Sequence, residues 1–314
     1  RSVIVASGIT AASVLDDEKS PQSKAIHWLA VEDGNRLDAD DEYFLQRYSL
    51  AVFYFSATVP PVAMAFKEEL EEIANSPREN RGAQETEGEV VEDGEEENDR
   101  ADGWANHDGW LTHRGYCSWF GVQCHHKPGT EPTETAYNDN YGVTHLNLTF
   151  NGAYGTLPSE LVTLTDLRVL DVSHNGIGGT MPTELGDLTQ LVTLDLTDNE
   201  VTGNLPTELG RLAKCTHLLL GRNIIEGQIP SEIGAMTSMH FLSLFENYFT
   251  GSFPPVGDMT NLRALYLDDN DLEGLLPGSV LGNLVNVEDV RLGTNNFTGP
   301  LPTELGLLTK LSKL

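Results

Sequence analysis

Apolar and polar positions recur along the C-terminal half of the chain with a period close to 24 residues. Each period contains one asparagine at the same place, and successive asparagines are separated by 24, 24, 24, 24, 23 and 25 residues. These seven residues are Asn151, Asn175, Asn199, Asn223, Asn247, Asn270 and Asn295. A glycine follows each of them by four residues and a proline by seven. Self-similarity of this period predicts a solenoid of stacked repeats.

Each column of the repeat has a physical role. Two apolar residues separated by one residue precede each asparagine, as Leu194 and Leu196 precede Asn199, which predicts a short strand with one inward face. Such strands must stack to bury that face, so we expect a parallel sheet over a continuous core. The asparagine amide can satisfy backbone groups at the bend, forming a ladder from repeat to repeat. Segments such as residues 207–212 predict short helical turns with leucines inward. Because the 23- and 25-residue repeats change length after the proline, we expect the strand register to be kept.

Two helices and an acidic stretch are expected in the N-terminal half. Ser20 and Pro21 form a helix start, and the apolar residues that follow are Ala25, Ile26, Trp28 and Leu29. A second apolar face at helical spacing predicts a helix from about residue 41 to residue 56. Residues 76–103 are rich in Glu, Asp, Gly and Asn, which indicates a disordered, solvated linker, with an acidic docking tail as the alternative.

The repeat columns resemble the plant-type leucine-rich repeat, L-x-x-L-x-L-x-x-N-x-L-x-G-x-I-P-x-x-L-G-x-L, most closely over residues 191–212 and 167–188. The resemblance covers residues 142–314, seven full repeats and the start of an eighth. Ala153 departs from it, because a larger apolar residue is usual there. The resemblance implies an α/β solenoid: a right-handed superhelix with a parallel concave sheet, short 3-10 or α turns on the convex side and a helical N-terminal cap.

The segment C-S-W-F-G-V-Q-C at residues 117–124, with Trp104 before it, resembles the N-terminal cap of plant-type repeat ectodomains. The resemblance implies a Cys117–Cys124 disulfide and a cap core that contains Trp110, Trp119 and Val122. The chain then divides into a helical region (1–75), the linker (76–103), the cap (104–141) and the solenoid (142–314). The acidic insertion departs from the compact plant arrangement and is similar to algal repeat proteins with extended N-terminal regions, some of them membrane-anchored.

Charge narrows the choice of partners. The 314 residues carry a formal net charge of −29, and both halves of the chain are acidic. Such a field repels phosphate backbones and anionic lipid head groups, so neither nucleic-acid binding nor membrane docking is expected. The most apolar stretch, residues 50–66, is too short to span a bilayer and contains Pro60-Pro61. The missing initiator Met and the end inside a repeat suggest a fragment, so membrane attachment is expected only through segments outside this chain.

The cysteines and sequons favour a secretory route. A disulfide in the cap implies an oxidising compartment, and thus an extracellular or cell-surface location. Cys215 occupies a leucine column and is expected to be a buried thiol. Asn147 and Asn296 begin Asn-x-Thr sequons for glycosylation.

Catalytic and metal chemistry find little support. Cys117 and Cys124, with the nearby histidines His113, His125 and His126, lack the spacing of structural zinc. The pairs Asp198-Asn199 and Asp268-Asp269 are candidates for calcium binding or for paired-carboxylate hydrolysis, but charged residues are the default at the solvent-facing strand ends of a repeat. The sequence contains no G-x-S-x-G, P-loop or H-E-x-x-H motif, so we expect neither an enzyme nor a cofactor or metal site.

The outward strand positions predict a ligand-binding concave face. Leu219, Phe241, Phe245 and Tyr266 should cluster where nothing in the fold requires apolar side chains, with Ser243 and Asp268 beside them. Asp171 and Asp195 should lie opposite each other. Two like charges in that position lower the stability of the fold unless a cation or a hydrogen-bond donor binds to them. The alternatives are that aromatic residues simply favour strands, or that the N-terminal region folds over the cluster.

Three functions fit this pattern. The first is the recognition ectodomain of a cell-surface receptor-like protein that binds a protein or peptide, with a glycan as a further option. The second is a secreted inhibitor of the polygalacturonase-inhibitor type, and the third is an intracellular scaffold.

Overall fold

The structure, a computed structural model, describes residues 2–32, 44–57, 104–106, 108, 110–111, 116–126 and 141–314. The predicted linker at 76–103, residues 41–43 of the second predicted helix, and His113 lie outside the described residues. Repeats are numbered here by their ladder asparagines, from Asn151 in repeat 1 to Asn295 in repeat 7.

The described strands form two sheets that follow the chain from repeat to repeat. Their bounds are β1 (Val122–His126), β2 (Tyr141–Asn147), β3 (Tyr154–Thr156), β4 (Val169–Asp171), β5 (Gly176–Thr180), β6 (Thr193–Asp195), β7 (Glu200–Gly203), β8 (His217–Leu219), β9 (Ile224–Gln228), β10 (Phe241–Ser243), β11 (Tyr248–Gly251), β12 (Ala264–Tyr266), β13 (Asp271–Leu275), β14 (Asp289–Arg291) and β15 (Asn296–Thr298). The concave sheet has the order β1-β2-β4-β6-β8-β10-β12-β14, and all its pairs are parallel except the antiparallel pair β1–β2. The predicted α/β solenoid with a parallel concave sheet is confirmed.

The predicted asparagine ladder is present, and five of its seven asparagines are buried. Asn199 donates from Nδ2 to the Val172 carbonyl of repeat 2 at 2.9 Å and to the Leu196 carbonyl of its own repeat at 3.1 Å. Its Oδ1 accepts from the Ile177 amide at 2.9 Å. Asn223, Asn247, Asn270 and Asn295 repeat this arrangement. Each side chain therefore satisfies backbone groups in two successive turns, which holds those turns in one register.

The convex side consists of short helical turns, as predicted. The 3-10 turns are Ser159–Thr163, Thr183–Asp187, Thr207–Arg211, Ser231–Ala235 and Thr303–Leu307, and the 25-residue repeat has a short α-helix, Gly278–Leu281. In the 23-residue repeat, Pro254 is followed by Pro255 and the chain continues in turns. The concave register survives both changes, since Leu242 pairs with Leu265 and Leu265 with Val290.

A second sheet follows the ladder, and the repeat pattern did not predict it. The strands β15-β13-β11-β9-β7-β5-β3 are neighbours in that order and pair in parallel. Each begins near the ladder asparagine, and an apolar residue two positions after that asparagine points into the core, as buried Val201 does after Asn199. These segments are short and contain the repeat glycine, so they carry little strand signal of their own.

The N-terminal residues form a helical layer before the repeats. Its helices are α1 (Ser2–Ala6), α2 (Pro21–His27) and α3 (Phe44–Ser56), with 3-10 turns at Val14–Asp16 and Tyr116–Ser118 and a π-helical turn at Trp28–Glu32. Ser20 caps α2, because its side chain accepts from the Ser23 amide at 3.0 Å. The predicted helix start is thus confirmed. Among the described residues, no helix has both the length and the hydropathy needed to cross a membrane.

Tryptophan packing joins these helices to the cap. The rings of Trp110 and Trp119 lie 5.0 Å apart, and Trp28 meets Trp119 edge-on at 5.9 Å. The Arg47 guanidinium lies over both Trp28 and Trp119, at 4.9 and 5.0 Å from the ring centroids, and is 1% exposed. The Cys117–Cys124 disulfide is present, with a Cα–Cα distance of 5.6 Å. Trp110, Trp119 and Val122 are buried, as the cap resemblance implied.

The helical layer rests on the first repeat. Thr10 donates to the buried Glu160 carboxylate at 2.7 Å, and the Ala57 carbonyl at the end of α3 accepts from the Tyr154 amide at 2.8 Å. Burial raises the pKa of Tyr48, which also contacts Thr10, above its ordinary value. Outside the helical layer, α3 packs against β3 and the turn Ser159–Thr163 of repeat 1, and no described helix packs to a similar extent on β8, β10 or β12.

We expect Asn199→Ala to lower the free energy of unfolding by about 3 kcal/mol, because it leaves buried carbonyl and amide groups of two turns without partners. Urea denaturation followed by circular dichroism measures the change.

Asn283→Ala is the matched control, since Asn283 is an exposed asparagine on the convex side. It should leave the free energy of unfolding within about 0.5 kcal/mol of the wild type. Equal losses in the two variants would contradict the ladder's role.

Candidate functional site

Strand register brings the predicted aromatic residues together on the concave face. Leu219, Ser243 and Tyr266 lie side by side on β8, β10 and β12, because each pairs with the next. Phe241 pairs with His217 on one side and with Ala264 on the other. Phe245 lies two residues beyond Ser243, the last residue of β10. We call the surface formed by Leu219, Phe241, Phe245 and Tyr266 the concave patch.

The Phe241 ring is held by a histidine that the sequence did not single out. The His217 and Phe241 rings are stacked, with centroids 4.8 Å apart and planes 15° apart. Burial lowers the pKa of His217 below its ordinary value, and His240 nearby lowers it further. His217 therefore stays neutral over a wider pH range and presents an uncharged surface beside Phe241.

The Phe245 ring fills the place of an absent side chain. Gly221, the equivalent residue of repeat 4, has no Cβ, and a Cβ there would overlap with the Phe245 ring. The Arg222 guanidinium lies 5.8 Å from the same ring centroid and pairs with Glu246 at 3.2 Å. Gly221 thus leaves room for the Phe245 ring, and the Arg222 guanidinium lies over that ring.

Tyr266 is part of a charged cluster at the C-terminal side of the concave patch. The Arg291 guanidinium lies 4.2 Å from the Tyr266 ring centroid. One oxygen of Asp289 accepts from the Tyr266 hydroxyl at 3.2 Å and pairs with Arg291 at 3.3 Å. Within the described part of the chain, Oδ1 of Asp289 and Oδ1 of Asp268 have no donor. Burial raises the pKa of Asp268 above its ordinary value, and neighbouring Asp269 raises it further.

Asp171 and Asp195 lie opposite each other on adjacent strands, at the other side of the concave patch. Asp171 accepts from Asn147 Nδ2 at 3.1 Å and from the Ser173 hydroxyl at 2.7 Å. Burial raises the pKa of Asp195, hydrogen bonds from Thr197 oppose the rise, and the Asp171 carboxylate adds to it. Asp195 in turn pairs with Leu219, so an acidic surface borders the concave patch directly.

The residue before each ladder asparagine forms a row that sequence reasoning missed. Each adopts a left-handed φ between 49° and 58°: Phe150, His174, Asp198, Arg222, Glu246, Asp269 and Thr294. Phe150 stacks on His174 with ring centroids 4.1 Å apart, and His174 Nδ1 contacts Asp198 Oδ2 at 2.8 Å. The fixed place of these residues in the repeat was the signal that could have identified them.

The remaining candidates fall outside the concave patch. Cys117 and Cys124 form a disulfide and cannot act as thiolate ligands, which removes the zinc interpretation. Among the described residues, no three His, Cys, Asp or Glu side chains form a group that could hold a metal ion. Asn147 is exposed on the concave face and Asn296 is exposed on β15, so both sequons remain predicted glycosylation sites. Cys215 is a buried free thiol whose pKa burial raises to about 12.

Comparison with known proteins identifies the protein family. A model described as a leucine-rich repeat region matches residues 147–314. The structure of PEPR1-AtPEP1 is 32% identical, with a TM-score of 0.57, over 64% of this chain and 26% of that one. The LRR ectodomain of the plant membrane receptor kinase GASSHO1/SCHENGEN3 from Arabidopsis thaliana, in complex with CASPARIAN STRIP INTEGRITY FACTOR 2, is 30% identical, with a TM-score of 0.54, over 64% and 26%. This chain therefore spans about a quarter of the length of either solved chain. No curated protein sequence matches it.

The family model covers more than half of the chain, and the ladder and the concave sheet lie within the residues it matches. The chain therefore belongs to the leucine-rich-repeat family, and its solenoid is similar to plant receptor kinase ectodomains.

Proposed function

We propose that this chain is a non-catalytic, extracellular recognition domain of a receptor-like protein, and that it binds a protein or peptide through the concave patch. The observation that carries the proposal is the apolar surface on repeats 4 to 6. The inward leucines already form the core, so the fold does not need large apolar side chains on the solvent side of these strands. Half-buried apolar and aromatic side chains on neighbouring strands of an otherwise polar surface are typical of an interaction site.

The rings of the concave patch are held in place before any ligand arrives. Phe241 stacks on His217, Phe245 lies over Gly221, and Tyr266 is fixed by its bond to Asp289. Ordering flexible side chains opposes association, so rings that are already fixed bind at a smaller entropic cost. Aromatic anchors of this type contribute a large share of the affinity at protein interfaces.

Charge around the concave patch suggests the character of the ligand. Asp171 and Asp195 border it on the side of repeats 2 and 3, and Asp268 follows Tyr266 by two residues in repeat 6. Arg222, Arg291 and Lys313 are cations close to it, and each is already paired with a carboxylate, Lys313 with Asp289 at 3.7 Å. An apolar anchor flanked by basic residues would therefore complement this surface.

Two further findings support the proposal. The disulfide in the cap is typical of an oxidising, extracellular compartment. The two similar structures are complexes, PEPR1 with AtPEP1 and a plant receptor kinase ectodomain with CASPARIAN STRIP INTEGRITY FACTOR 2. Because the solenoid of this chain is similar to both, we infer a receptor-like role for it.

We expect the Phe241→Ala/Tyr266→Ala variant to weaken binding of peptides selected from a random library on the wild-type chain. Each truncation removes an aromatic anchor, so the affinity should fall by about 30-fold, or 2 kcal/mol. Isothermal titration calorimetry of the variant and the wild type measures the difference.

The matched control is Tyr248→Ala/Leu275→Ala, which removes two large side chains that are 57% and 68% exposed on the second sheet. It should leave the affinity within about threefold of the wild type. Unchanged affinity in the concave variant, with its fold intact by circular dichroism, would refute the proposed site.

The opposed carboxylates lead to a separate prediction about stability. The raised pKa of Asp195 means that folding disfavours its charged form. At about pH 3 the Asp195 side chain is mostly protonated in both the folded and the unfolded state, so it does not lower the free energy of unfolding. At about pH 7 the carboxylate is charged, and its burial lowers the free energy of unfolding by the full amount. We therefore expect Asp195→Asn to raise the melting temperature at neutral pH and to match the wild type in acid.

Asp271→Asn, at an exposed position, serves as the comparison and should leave the melting temperature unchanged at both pH values. If Asp195→Asn destabilises the chain at neutral pH, the carboxylate pair contributes to folding, and its assignment to ligand binding loses its basis.

A further inference from the structure

A groove of about 420 Å³ runs beside the concave sheet at repeats 1 to 3. It lies outside the concave patch, since His174 and Phe245 are three strand spacings apart, or about 14 Å. Aromatic, imidazole, carboxylate and amide side chains line it together with two glycines: Phe150, Tyr154, His174, Asp198, Glu200, Asn175, Asn199, Gly152 and Gly176.

Two glycines make this groove particular to the first repeats. Gly152 and Gly176 stand directly after the ladder asparagine in repeats 1 and 2. A Cβ on Gly176 would overlap with the Tyr154 ring, so a larger residue there would displace Tyr154 and narrow the groove. Repeats 3 to 7 carry side chains at the same position: Glu200, Ile224, Tyr248, Asp271 and Asn296.

One wall of the groove is an exposed aromatic stack. Phe150 is 69% exposed and has a φ of 53°, a conformation that is unfavourable for a bulky residue. Its ring lies nearly parallel to the His174 ring, with 4° between the planes. Tyr154, 46% exposed, forms a second aromatic surface of the groove. Burial in the core therefore does not explain Phe150 or Tyr154, and each presents its ring to solvent.

The remaining wall is negatively charged. Asp198 is held by His174 through the 2.8 Å contact and remains exposed to solvent, and Glu200 is exposed two residues later. The described residues that line the groove include neither lysine nor arginine. A ligand group that enters it therefore meets aromatic faces and carboxylates together.

We propose that this groove binds the guanidinium group of an arginine side chain in a basic peptide. A guanidinium is planar and stacks on aromatic rings, and its fork of N–H donors matches a carboxylate. Phe150 and Tyr154 supply the ring faces, and Asp198 and Glu200 accept the hydrogen bonds. The assignment does not rest on the concave patch, because different residues on different repeats carry it.

The direct test is a titration of the chain with acetyl-Gly-Arg-Gly-amide, observed by NMR of ¹³C-labelled aromatic side chains. Citrulline has the shape of arginine but no charge, so the citrulline peptide is the matched probe. We expect saturable shifts of the Phe150, Tyr154 and His174 resonances at about millimolar peptide, and binding about tenfold weaker with citrulline. Equal affinity for the two peptides, or shifts confined to Phe241, Phe245 and Tyr266, would overturn the assignment.

Variants separate the groove from the general acidity of the chain. Phe150→Ala and Asp198→Asn should each weaken arginine-peptide binding by about fivefold, as expected for a weak, exposed contact. Asp269→Asn removes the same charge from the equivalent position of repeat 6, where φ is 54°, and should leave binding unchanged. Equal weakening by Asp198→Asn and Asp269→Asn would show attraction by net charge alone and would overturn the proposal.

The concave variant Phe241→Ala/Tyr266→Ala should bind the arginine peptide as the wild type does. This measurement tests the binding site in the groove separately from the binding site on the concave patch. Loss of arginine binding in that variant, with the Phe150 and Asp198 variants unaffected, would move the site away from the groove and contradict the assignment.

Discussion

The hydrogen bonds that the ladder asparagines of repeats 2 to 7 make with two successive turns hold the solenoid together, and Asn151 of repeat 1 bonds to Asn106 of the cap instead. Asn223, for example, donates to the Leu196 carbonyl of repeat 3 at 2.8 Å and to the Leu220 carbonyl of repeat 4 at 3.1 Å, and accepts from the Val201 amide at 3.0 Å. A buried amide with three such bonds cannot shift by one residue without leaving polar groups unpaired. The ladder therefore fixes the register between turns, and inward leucines from each turn meet in one core.

Because the register is fixed, residues that are one repeat apart in the sequence lie next to each other on the surface. Residues about 24 positions apart become neighbours, as Phe150 and His174 or Arg222 and Glu246 do. The concave face is thus assembled from one or two residues per repeat, and it changes from acidic at repeats 2 and 3 to aromatic at repeats 4 to 6. The side chains that each repeat contributes to this surface point away from the core, so they can vary with little effect on the stability of the core.

The periodic asparagine, glycine and proline columns were enough to predict the solenoid, the strand register and the rows of outward residues. The adjacency of Leu219, Ser243 and Tyr266 follows from counting alone. The stacking of His217 on Phe241 could not be predicted, because it depends on side-chain rotamers. The second sheet could not be predicted, because its strands are short, contain glycine and have little intrinsic preference for the strand conformation. The packing of Arg47 between Trp28 and Trp119 joins segments far apart in sequence and outside the repeat, where no periodicity fixes the neighbours.

Hydrogen–deuterium exchange of the chain with and without a selected peptide ligand tests the central claim most directly, namely that the register-locked concave face is the recognition surface. The account predicts slower exchange in residues 217–222, 241–246 and 264–269 on binding, with the convex segments 207–212 and 231–236 unchanged. Protection confined to the convex turns or to the N-terminal helices would contradict it.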